Sequence, residues 1–344
     1  MIENTLPPIV SILLPAWNAE RFVGETIAAA LAQRFTDFEL LVLDNASTDA
    51  TGDVVAGFHD KRLRYVRNAS NIGYAGNVQR GRALACGRYV VVLNADDVWE
   101  ADYLARAVEL MEHEPSLAMI HAGITLVDAD GNGFGEAVTR WRQVTPAREA
   151  FLHVFLAGFS SPTMLMRNAL LQAVPPLPQA APWARSADTW LFLQLCLRGD
   201  VGYIGGRMMR YRVHESSMMF ASYADGSFFR SRLATASDAF MWPQVRDWIT
   251  TAQRRRVLRH VAREAITILP ITRRQCGRLK FLRAFAAILA LVPSAALAPS
   301  AWLRLLYGLL PRSIIEALRT RKRHLWKARQ IGLRHLGAGV EAGV

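Results

Sequence analysis

Through its first third the chain alternates apolar runs with amphipathic stretches. Ile9 to Leu14 is an apolar run ended by Pro15, and a helical pattern follows from about Glu20 to Gln33. Glu39-Leu40-Leu41-Val42-Leu43 is a second strand ended by Asp44, and Ser47-Thr48-Asp49 offers caps for a helix from about Ala50 to Phe58. Leu63 to Val66 reads as a shorter strand, about Ala75 to Cys86 as a helix, Arg88 to Leu93 as a fourth strand and Asp102 to Glu112 as another helix. The run Tyr89-Val90-Val91-Val92-Leu93 is apolar on both faces, the pattern of a central parallel strand. Strands separated by helices of this length predict an α/β fold whose mostly parallel sheet has right-handed crossovers.

The pattern changes after residue 115. Ala118 to Val127 reads as extended, Asp128 to Gly133 as a turn, and Pro162 to Met166 as a strand. Asp188 to Arg198 is a compact apolar helix, and Arg207 to Val213 leads into His214.

Ligands of open α/β sheets bind outside the carboxyl ends of the strands. Three such ends carry chemistry: Pro15-Ala16-Trp17-Asn18, Asp44-Asn45-Ala46-Ser47-Thr48-Asp49 and Asn94-Ala95-Asp96-Asp97. Trp17 offers a face for a base, or else packs in the core. Asp44 offers an acceptor for a base N–H, or else shapes a turn. Asp96 and Asp97 offer a hard divalent cation its oxygen ligands, or else cap a helix starting near Val98. An aromatic face, a carboxylate and a metal site together suit a nucleotide diphosphate. The glycine-rich turn that a dinucleotide-dependent oxidoreductase needs after its first strand is missing from Pro15-Ala16-Trp17-Asn18.

Charge divides the chain. From residue 231 on there are 21 basic and 5 acidic side chains, a net of +16; residues 1–230 hold 20 basic and 24 acidic, a net of −4. We therefore expect a catalytic domain over 1–230 and a basic, partly apolar helical region over 231–344. Residues 284–303 have no charged side chain, are interrupted by Pro293 and Pro299, contain Trp302, and are flanked by Arg278, Lys280 and Arg283 on one side and Arg304 and Arg312 on the other, with Trp326 beyond. That combination suits shallow docking on an anionic membrane surface; a packing arm and a true span are the alternatives. No basic element accompanies a nucleic-acid-binding motif, so nucleic acid is not an expected partner. Met1-Ile2-Glu3-Asn4 does not open as a signal peptide does, and Cys86, Cys196 and Cys276 read as free thiols in a reducing, cytoplasmic compartment.

Four segments in order resemble the family-2 glycosyltransferases of GT-A fold: the opening block from Val10 to Asp49, the block from Asn71 to Asp97, the stretch from Ala187 to Ile204, and Tyr211 to Met218. The resemblance covers about residues 8–215. It implies transfer of a sugar from a nucleotide sugar, a UDP-sugar foremost, to a saccharide or lipid-linked saccharide with inversion, aided by Mn²⁺ or Mg²⁺. It implies a nucleotide site at Pro15, Ala16, Trp17, Asp44 and Asn94, metal contacts from Asp96, Asp97 and His214, and Asp188 as the catalytic base. A base at a helix start would be kept ionised by the helix dipole. The chain departs from the family where Asn94 opens the DxD motif, where Val78-Gln79 replace Arg-Asn, with Arg80 adjacent, and where Ala187 precedes Asp188. Transfer to a polyprenyl phosphate, which shares the fold but needs a phosphate acceptor, is one alternative; a lapsed sugar-binding protein, suggested by Asn94 and the missing Arg-Asn, is the other. Gly158 to Pro162 would line the acceptor pocket, with Trp141 and Trp183 as stacking faces.

Overall fold

The structure is a computed structural model. It describes residues 6–137, 141–177, 186–217, 222 and 227–265, together with 282, 285, 286, 289, 302, 305 and 306. The alternating first third folds as β1 (Val10–Ala16), α1 (Val23–Leu31), β2 (Phe38–Asp44), α2 (Thr51–Ala56), β3 (Leu63–Arg67), α3 (Gly73–Leu84), β4 (Tyr89–Val92), β5 (Val98–Trp99) and α4 (Tyr103–His113). There follow β6 (Leu117–Val127), β7 (Gly133–Ala137), β8 (Val144–Thr145), α5 (Ala147–Ala157), β9 (Leu165–Arg167), α6 (Asn168–Gln172), α7 (Ala187–Cys196), β10 (Asp200–Arg212) and α8 (Ser227–Ala239). A further helix covers residues 251–265.

One ten-stranded sheet runs in the order β3-β2-β1-β4-β9-β6-β10-β5, with β7 on β6 and β8 on β10. Strands β3, β2, β1 and β4 are parallel to their neighbours, as are β6 and β10, whereas β9 runs antiparallel between β4 and β6. Strands β1 and β4 are buried along their full length, as their two-faced apolar pattern requires. Alternation along β1 sends Val10, Ile12 and Leu14 to a cluster with α1 and α4, and Leu13 to the cluster on the other face, with α3, α5 and α7. Helix α3 approaches closely because Gly81 has no side chain: a Cβ there would lie 2.5 Å from a Leu43 methyl.

Two expectations change. No helix begins at Val98; β5 intervenes, pairing with β10, so Asp96 and Asp97 cap nothing. The stretch expected as Arg207 to Val213 is the second half of a longer strand, β10, which keeps its pairing with β6 through several bulges. Beyond residue 230, Leu233, Ala236, Ala239, Val257, Val261 and Phe285 are buried in the same cluster as Phe155, Trp190 and Phe192. Packing is therefore continuous across residue 230. Most of 266–344, including Trp326, Cys276 and nearly all of 284–303, lies outside the described residues, as does Trp183. Among the described residues no helix is long and apolar enough to cross a membrane. Cys86 and Cys196 are free thiols, the first exposed and the second buried.

Candidate active site

The parallel registers set Ala16 opposite Asp44, and Asp44 opposite Arg67. The ends of β1, β2 and β3 therefore form one rim. Pro15 and Ala16 are buried in it, while Trp17 just beyond is 57% exposed, so its ring is free and not part of the core. Asn18 turns the chain with a left-handed backbone, φ 48°. Its Oδ1 accepts the N–H of Thr48 at 2.9 Å, and its own N–H donates to Ser47 Oγ at 3.0 Å, which ties the first strand end to the second.

Asp44 is fully buried. Its carboxylate accepts the N–H of Ser47 at 2.9 Å, the hydroxyl of Tyr65 at 2.5 Å and the guanidinium of Arg67 at 2.7 Å. Burial works against its charge, but the bonds from Ser47 and Tyr65 and the charge of Arg67 outweigh it and hold the carboxyl below its ordinary range. The sequence pattern does not single out Tyr65 and Arg67. The signal was available in the parallel register, which places two outward positions of the edge strand β3 beside Asp44.

Behind this rim, four carboxamides interlock. Asn45 Nδ2 donates to Asn71 at 2.8 Å, while Asn68 Nδ2 donates to Asn45 at 2.9 Å and to Asn77 at 3.0 Å. Asn77 donates to the Leu43 carbonyl at 2.7 Å, and the Ile72 N–H donates to Asn45 at 2.9 Å. Arg80 donates to Asn68 and to the Arg67 carbonyl, so it braces this network.

The third rim segment leaves the sheet after β4. Asn94 Nδ2 donates to Asp97 at 3.0 Å, and Asn94 Oδ1 accepts the Tyr74 hydroxyl at 3.3 Å. Asp97 is buried, and its other oxygen accepts the Arg212 N–H at 3.0 Å. Burial first, and then the charge of Asp96, push the Asp97 carboxyl well up. Asp96 instead reaches solvent, with 28% of its side chain exposed, and its Oδ2 lies 3.0 Å from His214 Nε2. The other imidazole nitrogen of His214 lies 2.8 Å from Ser216 Oγ. Ser216 orients the ring through one nitrogen, so a cation entering between His214 Nε2 and Asp96 Oδ2 would meet both. Among the described residues no group of three or more His, Cys, Asp or Glu side chains forms a metal cage. The Asp96–His214 pair still fits a hard cation that keeps waters and shares substrate phosphates, because such ions commonly take one or two protein ligands.

Asp188 lies in the first turn of α7, and its Oδ1 accepts the N–H of Thr189 at 2.7 Å. The dipole argument fails to predict the net effect. Burial raises the Asp188 carboxyl above its ordinary range, and the bond from Thr189 and the charge of Arg232 oppose this only in part. Tyr74 connects the two halves. Burial comes first among the influences that push its phenol up, followed by the charges of Asp188, Asp96 and Asp97. One hydroxyl thus senses both the rim carboxylates and Asp188. Trp141 is buried, donating to the Gly158 carbonyl at 3.0 Å and packing edge-on against His121, so it offers no stacking face. Phe159 stacks on Phe192 in the core, 4.7 Å between centroids.

A sheet of this order, with its aspartate-bearing rim, is the GT-A arrangement. The structure matches that of Staphylococcus aureus TarS 1–349 in complex with UDP-GlcNAc, with a TM-score of 0.61 and 19% identity over 95% of this chain and 89% of that one. It also matches the mannosyltransferase PcManGT of Pyrobaculum calidifontis in complex with GDP-Man and Mn²⁺, with a TM-score of 0.57 and 19% identity over 96% and 86%. Residues 11–174 match the Glycosyl transferase family 2 model. Two relatives are glycosyltransferases by name. TuaG of Bacillus subtilis, named for teichuronic acid biosynthesis, is 36% identical over 128 residues, which are 36% of this chain and 50% of that protein. WfgD of Escherichia coli, a UDP-Glc:α-D-GlcNAc-diphosphoundecaprenol β-1,3-glucosyltransferase, is 25% identical over 213 residues, 61% of this chain and 79% of that one. The match therefore spans only half the length of the first relative.

Proposed function

We propose that this protein transfers a sugar from a nucleoside-diphosphate sugar, a UDP-sugar foremost, to a hydroxyl of a saccharide or lipid-linked saccharide, with inversion. The carrying observation is Tyr74, whose hydroxyl is acted on by Asp188 and by the rim carboxylates together. In this reading the base and the donor rim share one pocket. Trp17 stacks on the base, Pro15 and Ala16 form the floor beneath it, and Asp44 with Arg67 reads its polar edge. Asn94 faces the ribose side. Asp96 and His214 would hold Mn²⁺ or Mg²⁺, and Asp97 fixes the loop that carries Asp96. When bound, the cation supplies charge stabilisation for the departing diphosphate.

Asp188 takes the proton of the attacking acceptor hydroxyl. A carboxylate raised above its ordinary range is a stronger base. The lipid-linked relatives and the basic C-terminal third support a cytoplasmic enzyme docked on an anionic membrane face, in assembly of a cell-surface polysaccharide or glycolipid. The site is tested by calorimetry with UDP and Mn²⁺. Mn²⁺ should tighten UDP binding, and that metal-dependent gain should vanish in Asp96→Ala; an unchanged gain in that variant overturns the assignment. Docking is tested by flotation with vesicles containing phosphatidylglycerol. The full chain should float at low salt and sink at high salt, and failure to float at low salt removes the membrane from the proposal.

A further inference from the structure

One arginine, two residues before His214, reaches every segment behind the Asp96–His214 pair. Arg212 ends β10, and only 3% of its side chain is exposed. Its Nε donates to the Asp96 carbonyl at 3.0 Å, and one terminal nitrogen donates to the Ala129 carbonyl at 3.0 Å. The other terminal nitrogen donates to Glu25 Oε2, on α1, at 2.5 Å. The Arg212 backbone N–H takes Asp97 Oδ1 at 3.0 Å. The guanidinium lies 4.8 Å from the centroid of the Phe22 ring, and that ring lies 4.8 Å from the His214 imidazole. Asp96 is therefore held through its own carbonyl, Asp97 through its carboxylate, and His214 through Phe22 and two residues of chain.

The chemistry requires arginine. A planar fork satisfies three acceptors in fixed directions, which an ammonium on a flexible stem cannot do. Asp96 sits in a segment without regular hydrogen bonding, between β4 and β5, so its position is set by such cross-links. None of these contacts faces the rim, where Asp96 shows its carboxylate to solvent.

We propose that Arg212 is a positioning residue that sets the Asp96–His214 spacing and with it the affinity for the divalent cation. This inference rests on the metal role assigned to Asp96 and His214. Glu25 is the outer end of the same clamp. Its side chain is 46% exposed, and it also lies 3.7 Å from Arg210. Glu25→Gln keeps an oxygen acceptor for the Arg212 fork at a half-exposed position while removing the carboxylate charge from the clamp.

The test measures free Mn²⁺ by electron paramagnetic resonance during titration of the full chain with saturating UDP. Arg212→Lys should weaken Mn²⁺ binding by about 10–100-fold, the range seen when groups that orient metal ligands are removed. Glu25→Gln should weaken it by a smaller factor of about 3–10, through the same contact. In both variants UDP binding without metal should keep the affinity of the unaltered chain, and excess Mn²⁺ should restore turnover. Wild-type Mn²⁺ affinity in Glu25→Gln and in folded Arg212→Lys overturns the positioning role. So does a fall in metal-free UDP binding and thermal midpoint that matches the fall in Mn²⁺ affinity, since that marks a general packing role. If Arg212→Lys does not fold, Glu25→Gln alone decides. Full Mn²⁺ binding in Asp96→Ala would instead overturn the underlying metal reading.

Discussion

Asp44 and Asp188 are the same side chain at two element ends, and their surroundings push their carboxyls in opposite directions. Asp44, at the end of β2, is surrounded by donors from Ser47, Tyr65 and Arg67 and is held as an anion. Asp188, at the start of α7, has its neighbour's N–H as its hydrogen bond and is pushed toward the neutral form. The first suits a fixed acceptor for a base edge; the second suits a proton acceptor. Donors from three residues decide the sign at Asp44 and burial decides it at Asp188; position at an element end decides neither.

The largest effect that sharpens this contrast comes from Asp188→Asn. Turnover should fall by about 10²–10⁴-fold, the usual loss of a general base, while donor affinity holds. The fold disfavours the Asp188 charge, so the neutral amide should leave the thermal midpoint at neutral pH unchanged or higher. A folded variant with near-full transfer would break the assignment. Next comes Asp44→Asn, which removes a buried anion from three donors. It should cost about 2 kcal/mol in chemical denaturation and weaken nucleotide binding with it. A variant as stable as the parent would show that the donors around Asp44 are satisfied without its charge.

Trp17→Ala should cost nucleotide affinity alone, by about tenfold if stacking contributes 1–3 kcal/mol, with no loss of stability because the ring is exposed. Calorimetry and a melting curve read the two together. The mildest test is acidification. The folded carboxyl of Asp44 lies below its ordinary value of 3.8, so its contribution is complete above that value and is lost as pH falls through the lower folded one. Asp188 lies above the same value, so the acid limb of turnover should sit above pH 3.8 and disappear from the residual rate of Asp188→Asn. An acid limb that survives in that variant belongs to another group.

The strand ends were legible in the sequence because an apolar run followed by a carboxylate is a local pattern. Pro15, Asp44 and Asp96 fall where that pattern puts them. The sheet order was less legible: β9 inserts antiparallel between β4 and β6, and β5 is two residues long. Asp96 and Asp97 look equivalent in sequence, yet one reaches solvent and the other is buried. Their difference is made by Arg212, 115 residues away from Asp97, and no local pattern carries that. The direction of the Asp188 shift was missed for the same reason. Its helix start is local, but the burial that decides the sign comes from the folded whole.

The four interlocked carboxamides behind the nucleotide rim bear on how fast this part of the molecule opens. Residues 68–72 form neither strand nor helix, and a stretch of that kind normally trades its amide protons with water quickly. Here the Asn68 N–H is held by the Asp44 carbonyl and the Ile72 N–H by the Asn45 side chain. Deuterium uptake at these two amides should be as slow as in the neighbouring strands, even though the Ile72 side chain is exposed. On the proposed function, this wall would already have its final shape before a nucleotide arrives, and association would not wait on a loop closure along this side.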